Sequence, residues 1–286
     1  MKIKALVFVF LLSGYTTFSQ VTVREDSLNS PSVGMTMKYL VLLPDGYEKS
    51  QERYPALYLL HGFGGDYTNW VKQTDLVRYA KQYRFIIVTP DAKNSWYTNS
   101  AVNARAKYED YIMKDLITTI DQRYRTLQSK YHRAIIGLSM GGYGALKLGM
   151  KYPSKYFFAA GLSPAIQFPS RLNDTAIVNR RSKESIQSLK DIFGEKQGDS
   201  WLANDVFVLA EKAKPNTLPY LYLAVGSQDG IPEIIDETHR FAATLRKLNI
   251  PFEMHESPGA HEWRFWDKEI QIILRKIAGQ IRMTAQ

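Results

Sequence analysis

The chain contains no cysteine among its 286 residues. This absence excludes disulfide bonds, thiolate metal sites and cysteine nucleophiles together. It also means that an oxidising compartment would be harmless to the chain. Neighbouring His and carboxylate residues, such as His261 and Glu262, lack the spacing of a metal site. We therefore expect neither a metal ion nor another cofactor.

Runs of basic residues are missing as well. The formal net charge is +9, from 37 basic and 28 acidic residues, but no run of Lys or Arg is longer than two. No nucleic-acid-binding motif accompanies this excess of positive charge. We interpret it as a solvated basic surface and expect no nucleic-acid partner.

Long apolar runs are also absent beyond the N-terminus. Lys2 and Lys4 precede an apolar run over residues 5–12, and polar and small residues follow it. This order predicts a signal peptide over residues 1–19, cleaved near Ser19-Gln20. A first strand or an uncleaved anchor is the alternative, but the run is short for a membrane span. We expect a secreted or periplasmic protein without a stable membrane span.

Apolar segments of strand length alternate with amphipathic segments of helix length through the rest of the chain. The expected strands are 37–43, 54–60, 85–89, 134–136, 157–162, 219–225 and 252–255. The expected helices are 71–83, 108–124, 142–152, 234–248 and 265–281. Because the strands are continuously apolar, the pattern predicts a mostly parallel sheet with helices on both faces. We expect one α/β domain over residues 20–286.

One segment interrupts this alternation. Residues 167–217 are polar and irregular and lie between two expected core strands, with helices expected at 185–193 and 202–212. We interpret the segment as a lid-like insertion over the carboxyl edge of the sheet, where such sheets bind ligands.

The segment around Ser139 carries the strongest chemical signal. An apolar strand leads into Gly-x-Ser-x-Gly, and a helix follows, which is the context of a nucleophile elbow. Gly137 and Gly141 have no Cβ, so they allow the close approach that such a sharp turn requires. An ordinary Gly-rich turn is the alternative for the five residues taken alone.

A serine nucleophile needs a base, and His261 is the best-placed histidine. It lies in a loop between the last strand and the last helix, whereas His239 lies within a helix and His255 ends a strand. In α/β-hydrolases the acid and then the His follow the Ser along the chain. We expect His261 to be the base, with His255 as the second candidate.

The acid is expected at Asp229, in the turn after the strand 219–225. Asp-Gly is a turn signal anywhere, so this assignment depends on its position at the same sheet edge. Glu233 and Asp236 lie in or near the next helix and are less well placed.

An oxyanion hole is expected from two backbone N–H groups, those of Phe63 and Met140. Phe63 lies in His61-Gly62-Phe63-Gly64-Gly65, which fits the His-Gly-rich loop of lipases and esterases. We expect His61 to brace this loop rather than to take part in catalysis. Neither Gly-rich segment is followed by the Lys-Ser/Thr of a phosphate-binding loop.

Aromatic residues border these loops and could line a substrate pocket, although core packing is their usual role. The candidate substrate-binding residues are Trp70, Asn94, Trp96, Tyr97 and Trp263. Among the segments that carry these residues, the polar loop 91–99, which follows a core strand, is the strongest candidate for a pocket wall.

Four motifs together resemble the esterase D-like family of α/β-hydrolases. They are LLHGFGG at 59–65 with Trp70, PD at 90–91 with NSWY at 94–97, GLSMGGYGA at 137–145 and GAHEW at 259–263. The family includes feruloyl and acetyl xylan esterases, tributyrin-type esterases, S-formylglutathione hydrolases and mycolyltransferases, and the resemblance extends from about residue 35 to the C-terminus. It implies an α/β-hydrolase fold.

The resemblance also implies the roles of five residues. Ser139 resembles the nucleophile, Asp229 the acid and His261 the base, and Phe63 and Met140 occupy the oxyanion-donor positions. The surroundings of the acid vary most within the family, and the insertion at 167–217 resembles nothing as firmly.

We therefore predict an exported serine esterase acting on small-molecule or oligosaccharide esters, through an acyl-enzyme. The resemblance and the predicted export favour acetyl or feruloyl esters of plant polysaccharides. A general short-chain esterase or an S-formylglutathione hydrolase-like thioesterase is one alternative. Acyl transfer to a sugar acceptor is another, and a non-catalytic carbohydrate-binding protein is a third.

Overall fold

The computed structural model describes residues 20–284. The predicted signal peptide lies outside this described part. Between residues 20 and 284, no helix combines the length and the hydropathy needed to cross a membrane.

Eight strands form one sheet in the order β1-β2-β4-β3-β5-β6-β7-β8. They are β1 Thr22–Ser30, β2 Met35–Leu43, β3 Ala56–Leu60, β4 Ile86–Pro90, β5 Arg133–Leu138, β6 Phe158–Leu162, β7 Tyr220–Gly226 and β8 Phe252–Ser257. The first two strands pair antiparallel with their neighbours, and all pairs from β4 to β8 are parallel. Parallel neighbours bring their carboxyl ends to one edge, and this edge holds the candidate site.

Helices occupy most of the connections. They are α1 Asn69–Gln73, α2 Leu76–Ala80, α3 Tyr108–Asp110, α4 Ile117–Arg123, α5 Met140–Lys151, α6 Thr175–Val178, α7 Lys183–Phe193, α8 Asp199–Leu202, α9 Val206–Lys212, α10 Pro232–Lys247 and α11 Trp263–Thr284. A π-helical stretch, Tyr111–Leu116, joins α3 to α4, and short 3₁₀ turns occur at Tyr47–Lys49, Lys130–His132 and Pro215–Thr217.

The two faces of the sheet pack against different helices. Ile135 of β5 belongs to a core that includes α4, α5 and α10, whereas the next residue, Ile136, belongs to a core that includes α2 and α11. Alternate side chains of a strand point to opposite faces, so a strand covered on both sides must be apolar throughout. This explains the continuous apolar runs, and the predicted α/β fold class is confirmed.

Two expected helices were wrong in their extent, and one strand was not expected. Residues 21–32 carry no apolar pattern, yet they contain β1, an edge strand whose side chains are mostly exposed. The helix expected at 71–83 is divided into α1 and α2, because the Asp75 N–H donates to Asp267 rather than continuing the helix. The helix expected at 202–212 is likewise divided, and the Asp205 side chain caps α9.

The segment 167–217 packs on the helix that follows Ser139. It contains α6 to α9, and residues of α7 and α9 share the core of α5. The Tyr143 hydroxyl of α5 donates to the Asn204 carbonyl over 2.7 Å, and the Trp201 indole donates to the Phe193 carbonyl over 3.0 Å. The segment is therefore a folded layer that shares one hydrophobic core with α5.

Candidate active site

Ser139 lies at the apex of a tight turn between β5 and α5, with φ of 51° and ψ of −118°. A Cβ on Gly137 would lie 2.1 Å from the Gly141 carbonyl oxygen, and one on Gly141 would lie 2.4 Å from the Leu60 carbonyl oxygen. No real Cβ makes contacts of this kind, so both positions require glycine. The positive φ of a serine is the strained conformation expected of a nucleophile elbow.

Three side chains from three loops form one hydrogen-bonded chain. Ser139 Oγ lies 3.0 Å from His261 Nε2, and His261 Nδ1 lies 2.8 Å from Asp229 Oδ2. Asp229 is buried and its other oxygen accepts the Ile231 N–H. A carboxylate can only accept, so Nδ1 carries the proton and Nε2 is free to accept from the serine hydroxyl.

The two loops that carry His261 and Asp229 hold each other in place. A Cβ on Gly226 would lie 2.3 Å from the Gly259 carbonyl oxygen, and the Gln228 N–H donates to that same carbonyl over 2.9 Å. This packing fixes the loop after β7 against the loop after β8, which sets the distance between the acid and the imidazole.

The competing histidines and acids have other partners. His255 lies within β8 with its Nδ1 2.8 Å from Glu269, and His239 lies 2.8 Å from Glu256. Neither histidine is brought to Ser139. Glu233 does line the candidate site, but its carboxylate accepts from Arg180 rather than from an imidazole.

The two predicted oxyanion donors flank Ser139. Met140 is the first residue of α5, and the loop of Phe63 packs so closely that a Cβ on Gly62 would lie 3.5 Å from the Ser139 Cβ. Neither the Phe63 nor the Met140 amide makes a hydrogen bond with another group in the described chain. The partial positive charge of a helix N-terminus adds to the attraction for an anion there.

His61 braces the loop of Phe63 from inside the protein. The Ala92 N–H donates to His61 Nε2 over 3.0 Å, so the ring proton lies on Nδ1, which donates to the Gly62 carbonyl over 2.8 Å. Burial lowers the pKa of His61, which keeps the ring neutral.

Two cavities meet at Ser139 and His261. The larger, of about 370 Å³, has Phe63 and Trp96 on its wall. The smaller, of about 250 Å³, lies between the loop of Phe63 and the ring of Trp263. An ester that presents its carbonyl to Ser139 can therefore extend in two directions.

The aromatic candidates divide between cavity walls and core. Trp96 lines the larger cavity, and its indole donates to Ser188 of α7 over 3.0 Å. Trp263 lines the smaller cavity. Asn94 lines neither of the two, and its side-chain oxygen instead accepts the Gly64 N–H over 2.7 Å.

The expectation that Trp70 and Tyr97 line the pocket was wrong. Both side chains are 0% exposed. Trp70 donates to the Leu60 carbonyl and Tyr97 to the His61 carbonyl, so each ring fills the interior while its polar end is satisfied by backbone. These two residues support the loops of the site from below.

Sequence reasoning missed the polar residues on the other side of the larger cavity. From the insertion come Arg180, Arg181, Ser182 and Ser185, and Glu233 comes from α10. The adjacent pair Arg180-Arg181 was the only sequence feature that could have indicated a polar wall, and no motif connected this pair with Ser139.

A buried ion pair behind the site was also missed. Lys147 of α5 is 0% exposed, and its Nζ donates to Glu109 over 2.7 Å, to the Tyr97 carbonyl and to the Thr98 hydroxyl. Burial lowers the pKa of Lys147 to about 8. Burial alone would raise the pKa of Glu109, but the charges of Lys147 and Lys151 outweigh it and lower that pKa to about 2.

Within the range 20–284, no three His, Asp or Glu side chains are grouped so that they could hold a metal ion.

A family model described as "Putative esterase" matches residues 30–277. The chain belongs to this esterase family. The family predicted from the four motifs is thereby confirmed, and the chain is a carboxylic ester hydrolase.

The relatives of the esterase include proteins named for one activity and one protein named for two. An acetyl esterase of Caldicellulosiruptor saccharolyticus is 27% identical over 77% of this chain and 81% of that protein. An endo-1,4-beta-xylanase/feruloyl esterase of Xylanibacter ruminicola is 31% identical over 52% of this chain and 22% of that protein. The chain spans 54% of the length of Mycobacterium tuberculosis esterases that are 30% identical to it.

A solved structure of similar fold is the fluorophosphonate-binding serine hydrolase F of Staphylococcus aureus. The TM-score is 0.78, at 24% identity, over 92% of the esterase and 99% of the solved chain. The likeness shows that the two chains share a fold.

Proposed function

We propose that the chain is an exported serine esterase that uses Ser139, His261 and Asp229 to cleave carboxylic esters through an acyl-enzyme. The observation that carries this proposal is the hydrogen-bonded chain from Ser139 Oγ through the imidazole to Asp229, with distances of 3.0 and 2.8 Å. This arrangement opens into two cavities, so an ester can reach the serine hydroxyl.

The first step is acylation of Ser139. His261 Nε2 takes the hydroxyl proton while Oγ attacks the carbonyl carbon of the ester. The buried Asp229 carboxylate keeps the Nδ1–H tautomer in place and stabilises the imidazolium that forms.

The negative charge that develops on the carbonyl oxygen is held by the amides of Phe63 and Met140. Both donors are fixed before the substrate arrives, so no reorganisation is needed during the reaction. The loop of Phe63 owes its shape to the neutral His61 beneath it.

The imidazolium of His261 then donates its proton to the leaving alkoxide, and the alcohol departs. Water attacks the acyl-enzyme with the neutral imidazole as its base, and the carboxylic acid and free Ser139 are released. All atoms and protons balance without a cofactor.

Substitution of the proposed nucleophile tests this mechanism. Ser139→Ala should lower the turnover of 4-nitrophenyl acetate by at least about 10³-fold and abolish labelling by a fluorophosphonate probe. Ser227→Ala, an exposed serine in the loop after β7, is the matched control and should keep its activity. Wild-type turnover by Ser139→Ala would refute the proposal.

For the substrate we propose acetyl or feruloyl esters of plant polysaccharides. Two relatives carry acetyl esterase or feruloyl esterase in their names. The larger cavity is much roomier than an acetyl group needs, and Phe63 and Trp96 on its wall, with ring centroids 6.5 Å apart, suit a planar phenolic acyl group.

Comparison of sugar esters with ethyl esters of the same acids tests whether the enzyme recognises the sugar in the alcohol part. Feruloylated and acetylated xylo-oligosaccharides should both be better substrates, by kcat/KM, than the ethyl esters of the same acids. Equal kcat/KM values for sugar and ethyl esters would favour a general short-chain esterase instead. Formation of a transesterified sugar when acceptor is added would reveal acyl transfer.

Export depends on residues 1–19 and is tested separately. Expression of the full chain in a bacterial host should give an extracytoplasmic protein whose N-terminal residue, by mass spectrometry, is Gln20. Accumulation of the intact chain in the cytoplasm would contradict this part of the proposal.

A further inference from the structure

Arg181 brings a cation into the larger cavity beside Ser139 and His261. It lies in the short loop between α6 and α7, and its N–H donates to the Val178 carbonyl over 3.1 Å. Its side chain is 15% exposed, and the guanidinium lies over the ring of Phe168, 5.8 Å from the ring centroid. The position of the guanidinium is therefore set by the folded insertion.

The donors of Arg181 are not satisfied within the protein. Its buried Nε and Nη2 atoms have no hydrogen-bond partner among the described residues. The carboxylate of Glu233 lies 4.0 Å from Nη2, which is beyond hydrogen-bond distance. Burial lowers the pKa of Arg181, as expected for a charge removed from water without a close partner.

The other charged groups around the cavity already have closer partners. Arg180 is 59% exposed at its side chain and donates to Glu233 over 2.6 Å. Asp229 accepts from His261 and from the Ile231 amide. Arg181 thus contributes to the lining of the larger cavity a guanidinium whose buried Nε and Nη2 have no hydrogen-bonded acceptor among the described residues.

A buried cation with unused donors is costly unless another group pairs with it. A guanidinium presents parallel N–H groups that match the two oxygens of a carboxylate. An ester held at Ser139 occupies the same cavity, so a carboxylate on that ester can supply the missing acceptor.

We propose that Arg181 binds a carboxylate on the substrate, so that the enzyme prefers acidic esters over neutral esters of the same shape. This inference rests on the proposed esterase function and specifies its substrate class. The carboxylate can belong to the acyl part, as in a hemiester of a dicarboxylic acid, or to the alcohol part, as in an ester of a uronic-acid-containing oligosaccharide.

Two matched substrate pairs separate these sources. 4-Nitrophenyl hemiglutarate against 4-nitrophenyl pentanoate places the charge in the acyl part. 4-Acetoxybenzoate against methyl 4-acetoxybenzoate places it in the alcohol part. The quantity compared is the ratio of kcat/KM for the acidic ester to kcat/KM for its neutral counterpart.

The wild-type ratio should exceed about 10 in one of the two pairs, since a charge-assisted hydrogen bond typically changes affinity by about that factor or more. Arg181→Gln should reduce this ratio at least about 10-fold, and Arg181→Lys should reduce it less. Lys183→Gln removes an exposed charge two residues away, outside the cavity, and should leave the ratio within about 2-fold.

A wild-type ratio near 1 in both pairs, or an equal loss of the ratio in Arg181→Gln and Lys183→Gln, would overturn the inference. Thermal unfolding and labelling of Ser139 by a fluorophosphonate probe show whether Arg181→Gln is folded, and Arg181→Lys carries the test if it is not. Hydrolysis of the neutral esters that depends on Ser139 would keep the proposed function intact in that case. Failure of the wild type on every ester would instead refute the proposed function.

Discussion

The Nζ atom of Lys147 lies 2.7 Å from a carboxylate oxygen of Glu109, in the interior of the protein. The same Nζ reaches the Tyr97 carbonyl, so the helix that follows Ser139 is tied to the loop 91–99. That loop carries Trp96 on the wall of the larger cavity and Asn94 against the loop of Phe63. A single buried cation therefore connects the helix that follows Ser139 to the loop that carries Trp96.

We expect Lys147→Met to destabilise the protein by about 3–5 kcal/mol, because it leaves a buried carboxylate with less compensation. The loosened loop should also raise KM for a feruloyl ester more than for an acetyl ester. Denaturant unfolding and steady-state kinetics measure the two effects. Lys151→Met removes the more exposed partner of Glu109 and should cost less; a larger cost than that of Lys147→Met would contradict this account.

The low pKa of Glu109 predicts a stability difference at acid pH. The folded-state pKa is about 2 against an ordinary value of 4.5, so the carboxylate stabilises the fold above about 4.5 and loses this contribution as the pH falls towards 2. The difference in unfolding free energy between wild type and Glu109→Gln should therefore shrink between pH 4.5 and 2. A difference that stays constant across this range would show that Glu109 does not titrate with a lowered pKa.

Asp229→Asn should lower kcat by about 10³–10⁴-fold with little change in the fold, because an amide favours the wrong imidazole tautomer. Asp236→Asn is the matched control, since Asp236 is the nearby acid on α10 that lines a neighbouring cavity. Steady-state kinetics with 4-nitrophenyl acetate distinguishes them. A greater loss in Asp236→Asn would transfer the role of the acid to that residue.

Gly137→Ala should destabilise the protein by at least about 3 kcal/mol, because the added Cβ would overlap the Gly141 carbonyl. Gly279→Ala, at an open and exposed position in α11, should instead stabilise it by up to about 1 kcal/mol. Thermal unfolding of both variants measures the contrast. Equal melting temperatures would mean that the turn can relax around a Cβ.

The central strands and the elbow could be predicted because local sequence determines them. Strands covered on both faces must be apolar throughout. The tight turn at Ser139 admits only glycine two residues before it and two residues after it. The edge strand β1 could not be predicted in this way, since it buries few side chains and takes its structure from pairing with β2.

The walls of the pocket depend on contacts that are remote in sequence. Trp96 and Tyr97 are neighbours and both are buried, yet only Trp96 lines the larger cavity, because the loop bends at positive φ at both residues. The place of Arg181 depends on how the insertion packs on α5. Neither outcome has a local pattern that could have revealed it.

Gly141 lies against the carbonyls of Leu60 and His61, so the turn that carries Ser139 packs tightly against the end of the neighbouring strand β3. Ser139 cannot shift without separating the two central strands of the sheet. Adaptation to substrates of different size must therefore come from the opposite side of the cavity, where the insertion supplies the wall. The turn of Ser139 is thus held rigidly by the sheet, whereas the insertion forms a wall that can vary. Changes within residues 167–217 can alter the substrate range while Ser139 stays in place.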